Sequence, residues 1–198
     1  MEIRIVRHGQ TAANLNEVLQ GHLDTELTEL GLKQADAIGK RLAKSNISHI
    51  YVSDLKRAVD TAEAIRAHHS GISLVKTQKL RERNLGEKEG FSKKELGIEP
   101  DFVFSLFGES QEGETVKEMF IRAQNFIHDL KNKHDNDSVL LVCHGGFSYA
   151  LVAAIQSLSF EQVATLPRFK NTNLSHYLIS GNRVDIVCQN CTAHLEQA

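Results

Sequence analysis

Apolar residues follow two periods along this chain of 198 residues. Short apolar runs at 2–6, 49–53, 72–76 and 138–143 have strand character, and two more follow at 175–179 and 184–189. Between them the apolar positions recur every three or four residues. Leu32, Ala35, Ile38 and Leu42 form such a stripe within 28–45, behind the capping residue Thr28. A second helical segment covers 55–69, and a third, 114–134, repeats Val116, Met119, Phe120, Ala123, Phe126, Ile127 and Leu130. Alternating strands and helices predict an α/β fold, a three-layer α/β/α arrangement around a mostly parallel central sheet. The stretch 84–113 breaks the alternation. It contains Gly, Lys, Glu and Phe, offers only short helical fragments near Lys93 and Phe102, and reads as a small cap inserted into one domain spanning 1–198.

Charge narrows the partners. A net charge of −2 gives no broad basic field, which argues against nucleic acid or an anionic membrane, so any anion site must be local. No apolar run approaches the roughly 18 residues of a membrane span. Three cysteines are too few for a disulfide scaffold, and the N-terminus enters charged, strand-like residues directly, so a cytoplasmic monomer or homodimer is expected.

Two of the predicted strands end the same way. Arg7-His8-Gly9 follows the first, His144-Gly145 follows the fourth, and a helix is expected after each. Ligands of open α/β sheets bind beyond the carboxyl ends of the strands, where His8 and His144 can converge and glycine lets backbone approach. The second strand ends on Ser53-Asp54, with Arg57 in the first turn of its helix. That position opposes the helix dipole unless an anion lies between them. Arg7, Arg57 and two imidazoles suit phosphoryl oxygens. Glu82, just after the third strand, offers a proton.

A metal is not expected at this point, because the sequence has no HExxH-like spacing and the arginines would repel a cation. Cys188-x-x-Cys191 with His194 is half a zinc motif and reads as structural. His68-His69 closes a helix and reads as surface.

Arg7-His8-Gly9-Gln10-Thr11, Asn14, Gln20-Gly21, Ser53-Asp54-Leu55 with Arg57, Leu80-Arg81-Glu82, Gly113-Glu114-Thr115 with Arg122, and His144-Gly145 occur in the order of the histidine phosphatase superfamily. Together they resemble its branch of cofactor-dependent phosphoglycerate mutases and phosphatase relatives, nearly end to end. The resemblance implies that His8 is the nucleophile of an RHG motif and Glu82 the proton donor. It also implies that Arg7, Arg57 and a cationic His144 complete the phosphate pocket, with Asn14, Gln20, Gly21 and Gly145 contacting phosphate or substrate. Gln10 stands where the family often has Glu. No metal or other cofactor is implied.

The expected activity is hydrolysis of a small-molecule phosphomonoester through phosphohistidine, with a phosphoglycerate mutase (an isomerase) or a phospho-ligand binding module as alternatives. The cap decides between them in this reading. Lys88, Lys93 and Lys94 are outnumbered there by Glu87, Glu89, Glu95, Glu99, Asp101, Glu109 and Glu112, beside Phe91, Phe102, Phe104 and Phe107. An acidic, aromatic lid grips a bisphosphate poorly and favours a phosphatase.

Overall fold

The protein was analysed as a computed structural model that describes residues 1–103 and 108–196. Six strands, β1 (Glu2–Arg7), β2 (His49–Ser53), β3 (Leu74–Thr77), β4 (Ser138–Cys143), β5 (Leu174–Ser180) and β6 (Arg183–Cys191), form one sheet in the order β3-β2-β4-β1-β5-β6. The first four are mutually parallel and the last two antiparallel. Period-two alternation sorts the core. Ile3, Ile5, Tyr51, Val139 and Leu141 face one way, towards α4 (Val116–Lys133) and α5 (Gly145–Gln156). Val6, Ile50, Val52, Leu140 and Val142 face the other way, towards α2 (Glu29–Leu42) and α3 (Lys56–Arg66). The result is the expected α/β fold with a helical layer on each face. Two minor helices, α1 (Ala12–Leu15) and α6 (Phe160–Ala164), lie in the connections.

Several local expectations change. The buried stripe of α2 is Gly31, Ala35, Ile38, Gly39 and Leu42, while Leu32 is 55% exposed. The stripe turns because Gly31 must abut the chain after β1. A Cβ on Gly31 would lie 2.1 Å from the Gln10 carbonyl oxygen, and one on Gly9 would lie 2.5 Å from that of Gly31. His69 is buried instead of lying on the surface. The first His-Gly pair leads into a single turn, α1, capped by the Thr11 side chain, and not into a long helix.

In the 84–113 stretch, residues 86–88 form a 3-10 turn and Lys93 lies in turns, not helix; the fragment expected near Phe102 runs into 104–107, outside the described residues. Phe104 and Phe107 lie outside the described residues. The stretch is stitched to the loop after α1: Leu19 N–H donates to Phe91 O, Gly90 N–H to Leu19 O and Lys93 N–H to Glu17 O. Its return is anchored by buried Arg83, which donates to the carbonyls of Gly108 and Glu114.

The Gly9 and Gly31 abutment carries the segment that holds His8. Gly31→Ala is therefore expected to destabilise the fold by about 1–3 kcal/mol as backbone is pushed apart. It should also lower turnover at that segment. Urea midpoints check the first effect and initial rates the second; an unchanged midpoint would show that α2 absorbs the methyl group.

Candidate active site

Parallel pairing of β1 with β4 sets Arg7 beside Cys143, so the residues that follow, His8 and His144, leave the sheet side by side. Their rings lie 5.2 Å apart. A cavity of about 120 Å³ opens over His8, and Arg7, Asn14, Gln20, Gly21, Arg57, Glu82 and Gly145 all line it. His144 packs behind His8, fully buried. All nine predicted site residues thus come together.

Each is held by a specific partner. His8 Nδ1–H donates to its neighbour's carbonyl, Gly9 O, at 2.7 Å. Because a carbonyl only accepts, this bond fixes the tautomer and leaves the lone pair on Nε2. Burial, followed by the charges of Arg57 and Arg7, holds the His8 imidazole well below its usual range, so it is neutral. Arg57, 1% exposed, donates to Leu23 O and Gly21 O. The left-handed backbone of Gly21 (φ +48°) accompanies this inward turn. Arg7 donates to Phe169 O and lies against Gly145, where a Cβ would sit 3.2 Å from its guanidinium. Burial pushes both guanidiniums down to about 10. Both Nε atoms and His144 Nδ1 are buried donor or acceptor positions without a protein partner, three of the five such atoms among the described residues. Buried polar groups left unpaired cost about 1–3 kcal/mol each, so three of them in this one region mark it as built for more than packing.

Glu82 faces them. Its carboxylate accepts from Arg83 N–H at 2.9 Å and from Gly146 N–H, in the first turn of α5, at 2.8 Å. The positive end of that helix thus already holds an acid group, oriented by two backbone amides. Asn14 and Gln20 act through the loops. Asn14 Oδ1 accepts from Thr11 N–H and from Asn171, whose amide also donates to His8 O. Gln20 Oε1 accepts from the Thr11 and Thr25 hydroxyls. Gln10 turns away to the start of α2, where its side chain accepts from Thr28.

Two expectations need correction. His144 is neutral, not cationic, in the free protein: burial first, then Arg57, His8 and Arg7, push its ring well below the usual range. Ser53 Oγ, 2.8 Å from its Nε2, is its hydrogen-bond partner. The acidic lid does not face the cavity. None of its seven carboxylates lines it, and the stretch contributes Leu85, Lys93, Phe102 and Val103 instead. Glu89 accepts from Leu85 and His22 amides, Glu87 from those of Gln111 and Glu112, and Glu95 binds Ser92. Arg122 is a buckle outside the cavity, paired bidentately with Glu114 and stacked 4.2 Å from the Phe147 ring.

Cys188 donates to Leu174 O, while Cys191 accepts from Arg41, which also donates to His194. The sequence reading missed Glu17, Tyr149, Arg168 and Phe169 in the cavity wall. They come from the loop after α1, from α5 and from the loop after α6, and no motif marks them.

Residues 3–192 match the family profile described as Histidine phosphatase superfamily (branch 1). Phosphoglycerate mutase-like protein 4 of Arabidopsis thaliana is 31% identical over 206 residues, covering 99% of this chain and 87% of that protein. The metal-independent phosphoserine phosphatase of the same plant is 34% identical over 166 residues, 80% of this chain and 70% of that one. Among solved structures, Bacillus stearothermophilus YhfR superposes with a TM-score of 0.88 at 27% identity, over 98% of each chain. Sequence match and superposition both run almost the full length and agree with the buried His, Arg and Glu constellation: the chain belongs to the histidine phosphatase superfamily, branch 1.

Proposed function

We propose that this protein hydrolyses small phosphomonoesters through a phosphohistidine on His8. The observation that carries the reading is the fixed His8 tautomer, with its bare Nε2 in a cavity between Arg7, Arg57 and the pinned carboxyl of Glu82. Nε2 attacks phosphorus and the P–O bond to the alcohol breaks, while Glu82 in its acid form protonates the leaving oxygen. Water then attacks the phosphohistidine, Glu82 takes its proton, and the P–N bond breaks to release phosphate and regenerate neutral His8. Arg7 and Arg57 stabilise the equatorial oxygens throughout, at little reorganisation cost because their other donors are already anchored. His144 joins them as a hydrogen-bond donor through Nδ1 when the Ser53 hydroxyl donates to Nε2.

The outer wall argues for the rest of the substrate. Lys93 and Arg168 border the cavity, and among the described residues Arg168 forms no ion pair or side-chain hydrogen bond. Glu17 beside them leaves a local charge near +1, which fits a carboxylate better than a second phosphate dianion. That balance, and not lid acidity, favours a phosphatase over a mutase, whose bisphosphorylated intermediate needs a stronger grip. The names of the two Arabidopsis relatives refer to phosphoserine and phosphoglycerate, both phosphomonoesters that bear a carboxylate.

Glu82→Gln separates the chemical roles. With 4-nitrophenyl phosphate, whose leaving group needs little protonation, it should release a burst of nitrophenol near one equivalent and then turn over slowly. Alkyl phosphates should barely react. His8→Ala should abolish both phases, and wild-type turnover by that variant would end the nucleophile assignment. Equal slowing on both substrates, without a burst, would make Glu82 structural.

Lys93→Ala and Arg168→Ala should each raise KM for phosphoserine or 3-phosphoglycerate about tenfold or more, in line with the roughly 1.5–3 kcal/mol of a charged hydrogen bond. KM for 4-nitrophenyl phosphate should stay unchanged. Equal effects on all substrates would remove the carboxylate grip.

Acidity supplies a further test. The buried imidazoles of His8 and His144 bind protons less readily when folded than when unfolded, so the unfolded chain takes up more protons below about pH 6.5. Stability should therefore fall as pH drops below that value. His144→Asn should flatten the slope by up to about 1.4 kcal/mol per pH unit, measured by urea denaturation from pH 7 to 5. Parallel wild-type and variant slopes would show that this ring protonates normally.

A further inference from the structure

At the opposite end of the sheet a second group of titratable side chains meets. His49 opens β2, His134 caps the C-terminus of α4 and Asp137 immediately precedes β4. Their ligating atoms all lie within 4.8 Å of one another. Asp137 Oδ2 is 2.7 Å from His134 Nδ1 and 3.5 Å from His49 Nδ1, and the two rings lie 4.2 Å apart. Donors on a tetrahedral zinc ion with bonds near 2 Å are about 3.3 Å apart, so the two measured separations straddle that value.

The surroundings are fixed in advance. His134 is 3% exposed, and its far nitrogen, Nε2, is 2.8 Å from the Tyr51 hydroxyl, which also accepts from Lys133. A hydrogen bond on the distal nitrogen is the usual way a protein orients an imidazole ligand. The turn carrying Asp137 is held by its backbone, since Asp137 N–H donates to His134 O and Asp137 O accepts from Glu2 N–H. His49 and Asp137 remain partly open to solvent, which gives an ion a route in.

From this juxtaposition we infer a binding site for one borderline divalent transition cation of the zinc and cobalt class, with His49, His134 and Asp137 as ligands and water in the fourth position. Two imidazoles and one carboxylate suit such ions and not magnesium or calcium, which prefer oxygen. Binding needs no redox partner. On binding, the His134 proton moves from Nδ1, where it now points at Asp137, to Nε2, where Tyr51 can accept it; His49 Nδ1 gives up its 3.1 Å contact with Ser48 Oγ, and its proton sits on Nε2. The ion would tie the starts of β2 and β4 to the end of α4. It lies a full strand length, roughly 20 Å, from His8, so it serves stability and not the chemistry. The inference does not rest on the proposed activity.

The test uses chelator-dialysed full-length protein titrated with zinc for melting temperature and with cobalt for visible absorption. Wild type should gain about 4 °C or more and bind one equivalent. Its cobalt spectrum should show d–d bands without thiolate charge transfer. His49→Ala and Asp137→Asn should lose the shift but keep their metal-free melting behaviour and their 4-nitrophenyl phosphate turnover, whereas His8→Ala should retain the shift. A shift that survives in His49→Ala and disappears in His8→Ala would place the ion at the catalytic pair. A thiolate band would place it at the cysteines, and no shift at all would leave a plain hydrogen-bonded cluster. Each of these three results overturns the inference.

Discussion

Two guanidinium groups drawn in from solvent, Arg57 fully and Arg7 in part, within reach of one carboxylate, are the constraint around which this end of the sheet is built. Taking Arg7 and Arg57 out of water costs several kcal/mol each unless their donors are occupied. The chain meets that cost mainly with backbone, not with acids. Carbonyls of Gly21, Leu23 and Phe169 turn inward from loops that side-chain bonds such as Thr11 to Gln20 already hold in place. Burial first, and then the two guanidinium charges, depress both imidazoles and leave His8 unprotonated. Loop conformation and the neutral state of His8 thus both follow from burying these groups together.

Much of this was legible in the chain. Period-two and period-3.6 patterns located the strands and main helices, and two His-Gly endings identified the strands that deliver the imidazoles. Pattern could not reveal facing. The carboxylates of 84–113 were visible as composition, yet their direction is set by backbone amides such as those of Leu85, His22 and Gln111, which only folding brings near. His144 was misread in charge for a related reason: desolvation belongs to the assembled core, not to neighbours in sequence. Leu32 lost its place because a glycine contact across the chain outweighed a good apolar stripe.

Arg168, Glu17 and Asn171 escaped because irregular loops carry no period. Asn171 links two regions far apart in the chain, bonding both His8 O and Asn14 Oδ1. Positioning groups of this sort reveal themselves only through their partners. The histidine cluster at the other end of the sheet was equally invisible, because its members stand 85 and 3 residues apart and meet only through the parallel pairing of β2 with β4.

The stitching of residues 90–93 to the loop 17–19 bears on how the enzyme chooses what to accept. Glu17 and Lys93, both in the cavity wall, are joined turn to turn through Lys93 N–H and Glu17 O, with Glu17 in the left-handed region (φ +53°). Such a wall selects by fit at equilibrium instead of by a closing motion that commits the substrate, and discrimination then falls on affinity more than on a conformational checkpoint. Side chains on such a wall can change at the rim while the main-chain bond that holds it stays in place.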